Sequence, residues 1–257
     1  MSHWHELILF IAAFFAGTVN AVAGGGTLLS YPALIAIGRD PIIANATSTV
    51  ALWPGSLASM FGYRRELQGT RRWLLLLTLP SLIGGGLGAV LLLITPSRVF
   101  AAIVPWLILG ATALRAANGP IARWLEHAPA QERSRAWWAG AIAFQFVVGL
   151  YGGYFGAGIG IMMLAAFGLL GLTDIHQMNG MKSFFALCIN GVAAAYFVGK
   201  GAVNWHDAIL MAVGAIAGGY GGSSLARKVG RKFTNIAVVV IGVAMGVYLL
   251  LKQMGGS

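Results

Sequence analysis

Two stretches of this sequence set glycine-rich backbone and polar side chains inside otherwise apolar surroundings. The first is Gly17-Thr18-Val19-Asn20-Ala21-Val22-Ala23-Gly24-Gly25-Gly26-Thr27, followed by Asn45-Ala46-Thr47-Ser48-Thr49. The second is Gly149–Gly160, followed by Asn179-Gly180-Met181-Lys182-Ser183. Glycine costs about 1 kcal/mol in a helix interior, so each run predicts a break in a helix. A helix that restarts after a break has orphan N–H groups and a partial positive charge at its new N-terminus. Glycine lets such donors form a small concavity suited to an oxyanion.

The candidate binding residues are therefore Asn20, Gly24, Gly25, Gly26, Thr27, Asn45, Thr47 and Ser48 in the first half, and Gly156, Gly158, Asn179, Lys182 and Ser183 in the second. Lys182 carries the most weight, because a lysine within an apolar span costs about 3 kcal/mol and such residues pair or line a pathway. Facing inward it would be the countercharge of an anion; near a helix end it could instead snorkel to the interface. Asp174 and His176 are expected at the membrane edge. Gln145 and Asn190 are expected to bridge helices, and Trp53 with Pro54 to pack around a kink. The pairs Gly84/Gly88, Gly214/Gly218 and Gly242/Gly246 read as close helix packing.

The elements that hold these residues must be membrane helices. The chain has 257 residues, of which 58% are hydrophobic and 9% charged, with a mean hydropathy of +0.79. A soluble domain carries about 25% charged residues. The expected fold class is all-α and polytopic, with about eight membrane segments and no room for a separate catalytic domain. Spans are predicted over Leu7–Ala23 with a short piece Thr27–Ile37, Ile42–Tyr63, Trp73–Ile94, Val99–Leu114, Trp137–Tyr154 with a short piece to Leu170, His176–Val198, Trp205–Leu225 and Phe233–Leu251. No Lys or Arg precedes Arg39, so residues 7–23 lack the basic flank of a secretory leader and are expected to be retained. The net charge of +10 sits in short loops, which suits topology signals and anionic lipid contacts, not nucleic acid. Cys188 is alone, so neither a disulfide nor a cysteine metal site is expected.

The halves repeat. Gly17/Gly149 and Gly24/Gly156 lie 132 residues apart, and Asn45/Asn179 and Gly84/Gly218 lie 134 apart. This divides the chain into a repeat over 1–116, a linker over 117–135 and a repeat over 136–257, with Arg115 counted among the polar residues of the connection. Loop 64–72 holds four arginines while its partner near Gly199–Asn204 holds only Lys200; loop 226–232 is basic while its partner holds only Arg98. Positive loops favour the cytoplasm. Equivalent loops are thus expected on opposite sides, which makes the repeats inverted, the linker cytoplasmic and both termini periplasmic. Each repeat then starts with a glycine-broken helix that is re-entrant or fully crossing. Inverted repeats with matching breaks mark secondary transporters, with the site at the midplane.

At these motifs the chain resembles the sulfite/organosulfonate exporter family of bacterial membrane proteins, the TauE/SafE type, also called sulfonate uptake permeases (TSUP). The resemblance rests on G-x-x-N-A-x-A-G-G-G-T-x-x-x-Y-P at residues 17–32, A-N-A-T-S-T at 44–49, and Gly62-Tyr63-Arg64-Arg65. The second copy matches at Gly149–Gly160, Asn179–Ser183, Gly201, Trp205 and Gly218–Gly222, although Ala157 interrupts the glycine triplet. The resemblance implies movement of sulfur oxyanions or sulfonated organic acids across the bacterial inner membrane. It puts Asn20, Gly24, Gly25, Gly26, Thr47 and Ser48 on the first motif, and Gly156, Gly158 and Lys182 on the second.

The expected function is a secondary transporter of small anions, with no cofactor, no metal and no nucleic-acid partner. An anion channel is the nearer alternative. An intramembrane enzyme is the farther one, since the five histidines are scattered and no carboxylates are paired. Glycine-lined outer faces permit a homodimer.

Overall fold

The computed structural model describes residues 3–22, 25–62, 64–117, 135–170, 172, 174–219 and 231–254. Among them are ten helices and no strand: α1 His3–Val22, α2 Thr27–Ala36, α3 Pro41–Gly62, α4 Arg71–Ile94, α5 Ser97–Ala116, α6 Arg135–Tyr154, α7 Ile159–Leu169, α8 Ile175–Gly199, α9 Trp205–Ala217 and α10 Arg231–Met254. The chain is an all-α polytopic membrane protein. Among the described residues, α4, α5 and the α8 stretch His176–Gly199 are long and apolar enough to cross a membrane, and shorter apolar helices include Trp4–Asn20, Ile159–Gly168 and Val238–Gln253. Both breaks fall where glycine was expected to place them, between α1 and α2 and between α6 and α7. Most of the linker, Gly24 and the basic loop 226–230 lie outside the described residues.

Packing follows the repeat. The most extensive interfaces join α4 to α6 and α1 to α9, and each pairs a helix of one half with a helix of the other. The two are chemically equivalent. In one, a Cβ on Gly218 would overlap the Phe14 carbonyl; in the other, a Cβ on Gly84 would overlap the Phe146 carbonyl. Gly218 corresponds to Gly84 at 134 residues, and Phe146 to Phe14 at 132. Small residues let the backbones touch, and in lipid that contact replaces the hydrophobic force available in water. Thr18 Oγ1 donates to the Gly218 carbonyl at 3.0 Å, and Gln145 Nε2 donates to Ser81 Oγ at 2.8 Å. Gln145 is thus the helix bridge expected of it.

Directions follow from the same contacts. Gly214 meets Phe10 and Gly218 meets Phe14, so α1 and α9 run parallel. Arg39, just beyond α2, donates to buried Asp207 near the start of α9 through Nε at 2.6 Å and Nη2 at 3.0 Å. His206 Nε2 is 3.5 Å from Glu6 Oε1 in the first turn of α1. The end of α2 therefore lies with the starts of α1 and α9, so α2 turns back after the break. One more contact fixes the central pair. Asn204 N, between α8 and α9, donates at 3.0 Å to Thr47 Oγ1 near the start of α3. The start of α3 and the end of α8 thus share one end of the molecule, and the two helices run in opposite directions.

Candidate functional site

A cavity of about 70 Å³ brings the two breaks together. Three pairs of repeat-equivalent residues line it from α3 and α8: Thr49 and Ser183, Leu52 and Ala186, Ser56 and Asn190, each 134 residues apart. Their spacing of three and four residues keeps each set on one helix face. The breaks supply Gly25, Phe155, Gly156, Ile159 and Gly160, with Asn20 and Thr27 beside them.

Local sequence explains how the breaks are held. Gly25 and Gly156 have φ of +94° and +80°, a backbone region that a Cβ disfavours. After the first break the chain re-enters a helix at Thr27, and Asn20 Oδ1 accepts from Gly26 N at 2.7 Å, satisfying one orphan donor of α2. At the second, Tyr151 Oη donates to the Ala157 carbonyl at 2.7 Å.

Lys182 is the one charged side chain of the lining among the described residues. It is 7% exposed, which is not the snorkelled arrangement. Its stem lies against Gly160, and its Nζ donates to Asn179 Oδ1 at 2.9 Å. A buried cation amid hydroxyls, carboxamides and break backbone can hold an anion. Among the described residues no three His, Cys, Asp or Glu side chains gather as a metal site would require.

Of the candidates from sequence, Asn20, Gly25, Thr27, Gly156, Lys182 and Ser183 share this lining. Six others stand behind it. Gly26 packs so tightly that a Cβ would come within 2.5 Å of the Ala16 carbonyl. Asn45 Nδ2 donates to the Tyr154 carbonyl at 3.0 Å, Thr47 accepts from Asn204 N, and Ser48 shares a hydrogen bond of 2.6 Å with Ser30. Gly158 abuts Ala111, and Asn179 orients Lys182. Gly24 lies outside the described residues. Asp174 caps α8, accepting from His176 N and Gln177 N.

Three polar lining residues were not candidates: Thr49, Ser56 and Asn190, the last of which was expected to bridge helices. Alignment of the repeats could have found them, because Thr49 stands opposite the candidate Ser183. Arg115 differs more. Counted with the polar connection, it closes α5 at only 2% exposure, and its Nη1 would be 3.3 Å from a Cβ on Gly25.

The family model described as Sulfite exporter TauE/SafE matches residues 9–249. A relative from Sinorhizobium sp, "Probable membrane transporter protein ORF9", is 29% identical over 94% of this chain and 91% of its own. A "Probable membrane transporter protein" of Haemophilus influenzae is 28% identical over 96% and 94%. The "Probable membrane transporter protein YfcA" of Escherichia coli is 26% identical over 96% and 90%. No solved structure matches the chain.

Proposed function

The chain belongs to the TauE/SafE sulfite exporter family, and on that premise we propose that it is a secondary transporter of small anions, sulfur oxyanions or organosulfonates. The observation that carries the reading is the cavity itself: it joins both glycine breaks, is lined by equivalent residues of both halves, and holds Lys182 as the one charged side chain of its lining among the described residues. A site made from both repeats is what alternating access needs, since rocking one repeat against the other exposes it to each side in turn.

In this reading the repeats are inverted in the bacterial inner membrane, with the linker cytoplasmic and the termini periplasmic, as the loop arginines favour. Lys182 supplies the countercharge. Thr27, Ser183, Asn20 and the break amide at Gly25 supply donors that replace the anion's water. Gly24, Gly26 and Gly158 shape the breaks, while Asn45, Thr47 and Ser48 hold the helices that carry the site and Asn179 orients Lys182.

Uptake by liposomes containing the purified protein tests this directly. Labelled sulfite, thiosulfate, sulfate, taurine and sulfoacetate would be compared with a cationic control, with and without a pH gradient. Saturable, counterflowing anion flux is the expected result. Flux that does not saturate would make the protein a channel, and no anion flux from folded protein would overturn the reading.

A further inference from the structure

The two ends of the cavity are chemically unlike, although the repeats would make them alike. Trp53 Nε1 of α3 donates to the Leu187 carbonyl of α8 at 3.2 Å, and these two positions are themselves 134 residues apart. The local two-fold relation between the halves therefore passes through this contact, with α3 and α8 antiparallel about it. Thr49 and Asn190 consequently lie toward the end marked by Arg39 and Asp207. Ser56, Ser183 and Lys182 lie toward the other. Seven helical residues separate Thr49 from Ser56 and Ser183 from Asn190, or about 10 Å. Leu52 and Ala186 line the stretch between.

Two substitutions break the symmetry. Lys182 corresponds to Ser48, which is tied to Ser30 and does not line the cavity. Asn190 corresponds to Ser56 and places a carboxamide where its equivalent has a hydroxyl; its Oδ1 would be 3.8 Å from a Cβ on Gly156. Along α3 and α8, one end thus offers a cation with two hydroxyls and the middle is apolar, while the other end offers the Asn190 carboxamide beside Thr49, whose Oγ1 donates to the Asn45 carbonyl at 2.9 Å and is left as an acceptor.

We infer that Asn190 with Thr49 determines specificity, by reading an uncharged hydrogen-bonding group at the end of the substrate opposite its anionic head. The preferred substrate class is then a short anion with a hydroxyl or amide tail, separated from the head by a few carbons. A bare oxyanion leaves the Asn190 carboxamide without a substrate partner, a methyl tail buries apolar surface against it, and a charged tail finds no countercharge there. Leaving such polar groups unmatched is what lets a site reject an isostere lacking a hydroxyl. This rests on the anion-transporter reading above, and the test separates the two.

Proteoliposome uptake of 2-hydroxyethanesulfonate would be compared with its isostere propanesulfonate, with sulfite, and with 3-hydroxypropanoate to ask whether the head must be a sulfonate. The wild type is expected to show a KM roughly ten times lower for the hydroxyl tail than for the methyl tail, equivalent to one hydrogen bond. Asn190→Leu and Thr49→Val should bring that ratio near one, raising the KM for 2-hydroxyethanesulfonate much more than that for propanesulfonate. Ser56→Ala, at the charged end, should raise both alike. Anion flux with no tail preference, or a preference that survives Asn190→Leu in protein of normal thermal stability, would overturn the inference and leave the transporter reading standing. No flux of any anion would overturn both.

Discussion

Lys182 lays its aliphatic stem against Gly160, where a Cβ would come within 3.1 Å of Lys182 Cδ, and sends its ammonium 2.9 Å to Asn179 Oδ1. The glycine keeps open the slot in which a long cation can lie along the cavity wall. Lys182→Met keeps the stem and removes the charge. A hydrogen bond to a charged group is worth about 1.5–3 kcal/mol, so the KM for an anion should rise roughly 10- to 100-fold. Gly160→Ala meets only a flexible side chain and should cost a few-fold, whereas Gly160→Val should stop transport. Initial uptake rates over a range of substrate concentrations decide it. Unchanged KM in Lys182→Met would remove the lysine from the anion's path.

How much of this could be read without coordinates differs by element. The breaks were legible, because glycine acts locally and needs no structure to be seen. The role of Lys182 as a buried residue was half legible: its cost in lipid marked it, but not which way it points. Helix phase was the main obstacle. Ser48 and Thr49 are adjacent, yet successive residues on a helix point about 100° apart. Ser48 turns to Ser30 of α2 while Thr49 turns to the cavity. In a helix packed on several sides both directions are buried, so hydrophobicity does not distinguish them. Arg115 was hidden differently, since a cation between an apolar run and a polar connection looks like a loop residue.

The crossed interfaces predict a matched pair of stability defects. Gly218 touches Phe14 and Gly84 touches Phe146 through backbone, so neither neighbour can rotate away. Overpacking of this kind costs about 1–3 kcal/mol, and Gly218→Ala and Gly84→Ala should each lower the apparent melting temperature by several degrees. Gly110 has nothing within 4 Å of its missing Cβ. Gly110→Ala should be neutral or slightly stabilising, because alanine is the better helix former. Melting curves of the purified variants, followed by tryptophan fluorescence, provide the comparison. A Gly84→Ala protein as stable as wild type would contradict the close packing of α4 on α6.

The ion pair between Arg39 and Asp207 ties the turn after α2 to the start of α9, and so joins the halves at one end. Asp207 is 0% exposed while the Arg39 side chain is 26% exposed. Removing the aspartate leaves a cation that water can partly reach, so the cost should fall below the roughly 3–5 kcal/mol of a fully buried pair. Asp207→Asn should therefore destabilise by about 1–3 kcal/mol, and Arg39→Gln by more, since it strands the buried carboxylate. The double variant should recover part of the loss. A double-mutant cycle on thermal stability measures that coupling, and strict additivity would mean that the pair does not join the halves energetically.

Arg115 and Gly25 make the sharpest case for a coupled pair. Gly25 has a φ of +94°, so alanine there costs about 1–2 kcal/mol in backbone strain whatever its neighbours. Its Cβ would also lie 3.3 Å from Arg115 Nη1, against a side chain only 2% exposed and so with little room to retreat. The two costs separate in combination. Arg115→Met replaces the guanidinium with a slimmer, adaptable side chain, so Gly25→Ala should cost less in that background, with the strain remaining and the clash relieved. Coupling of about 0.5–1.5 kcal/mol in stability is expected, within the usual range for residues in contact. Uptake reports the functional consequence of the same contact. If Arg115 holds the first break in shape, Arg115→Met should lower maximal flux for every anion alike, because the wall of the cavity is displaced and no tail-reading group is removed. Additive stabilities together with unaltered flux would show that the arginine neither crowds Gly25 nor supports the break.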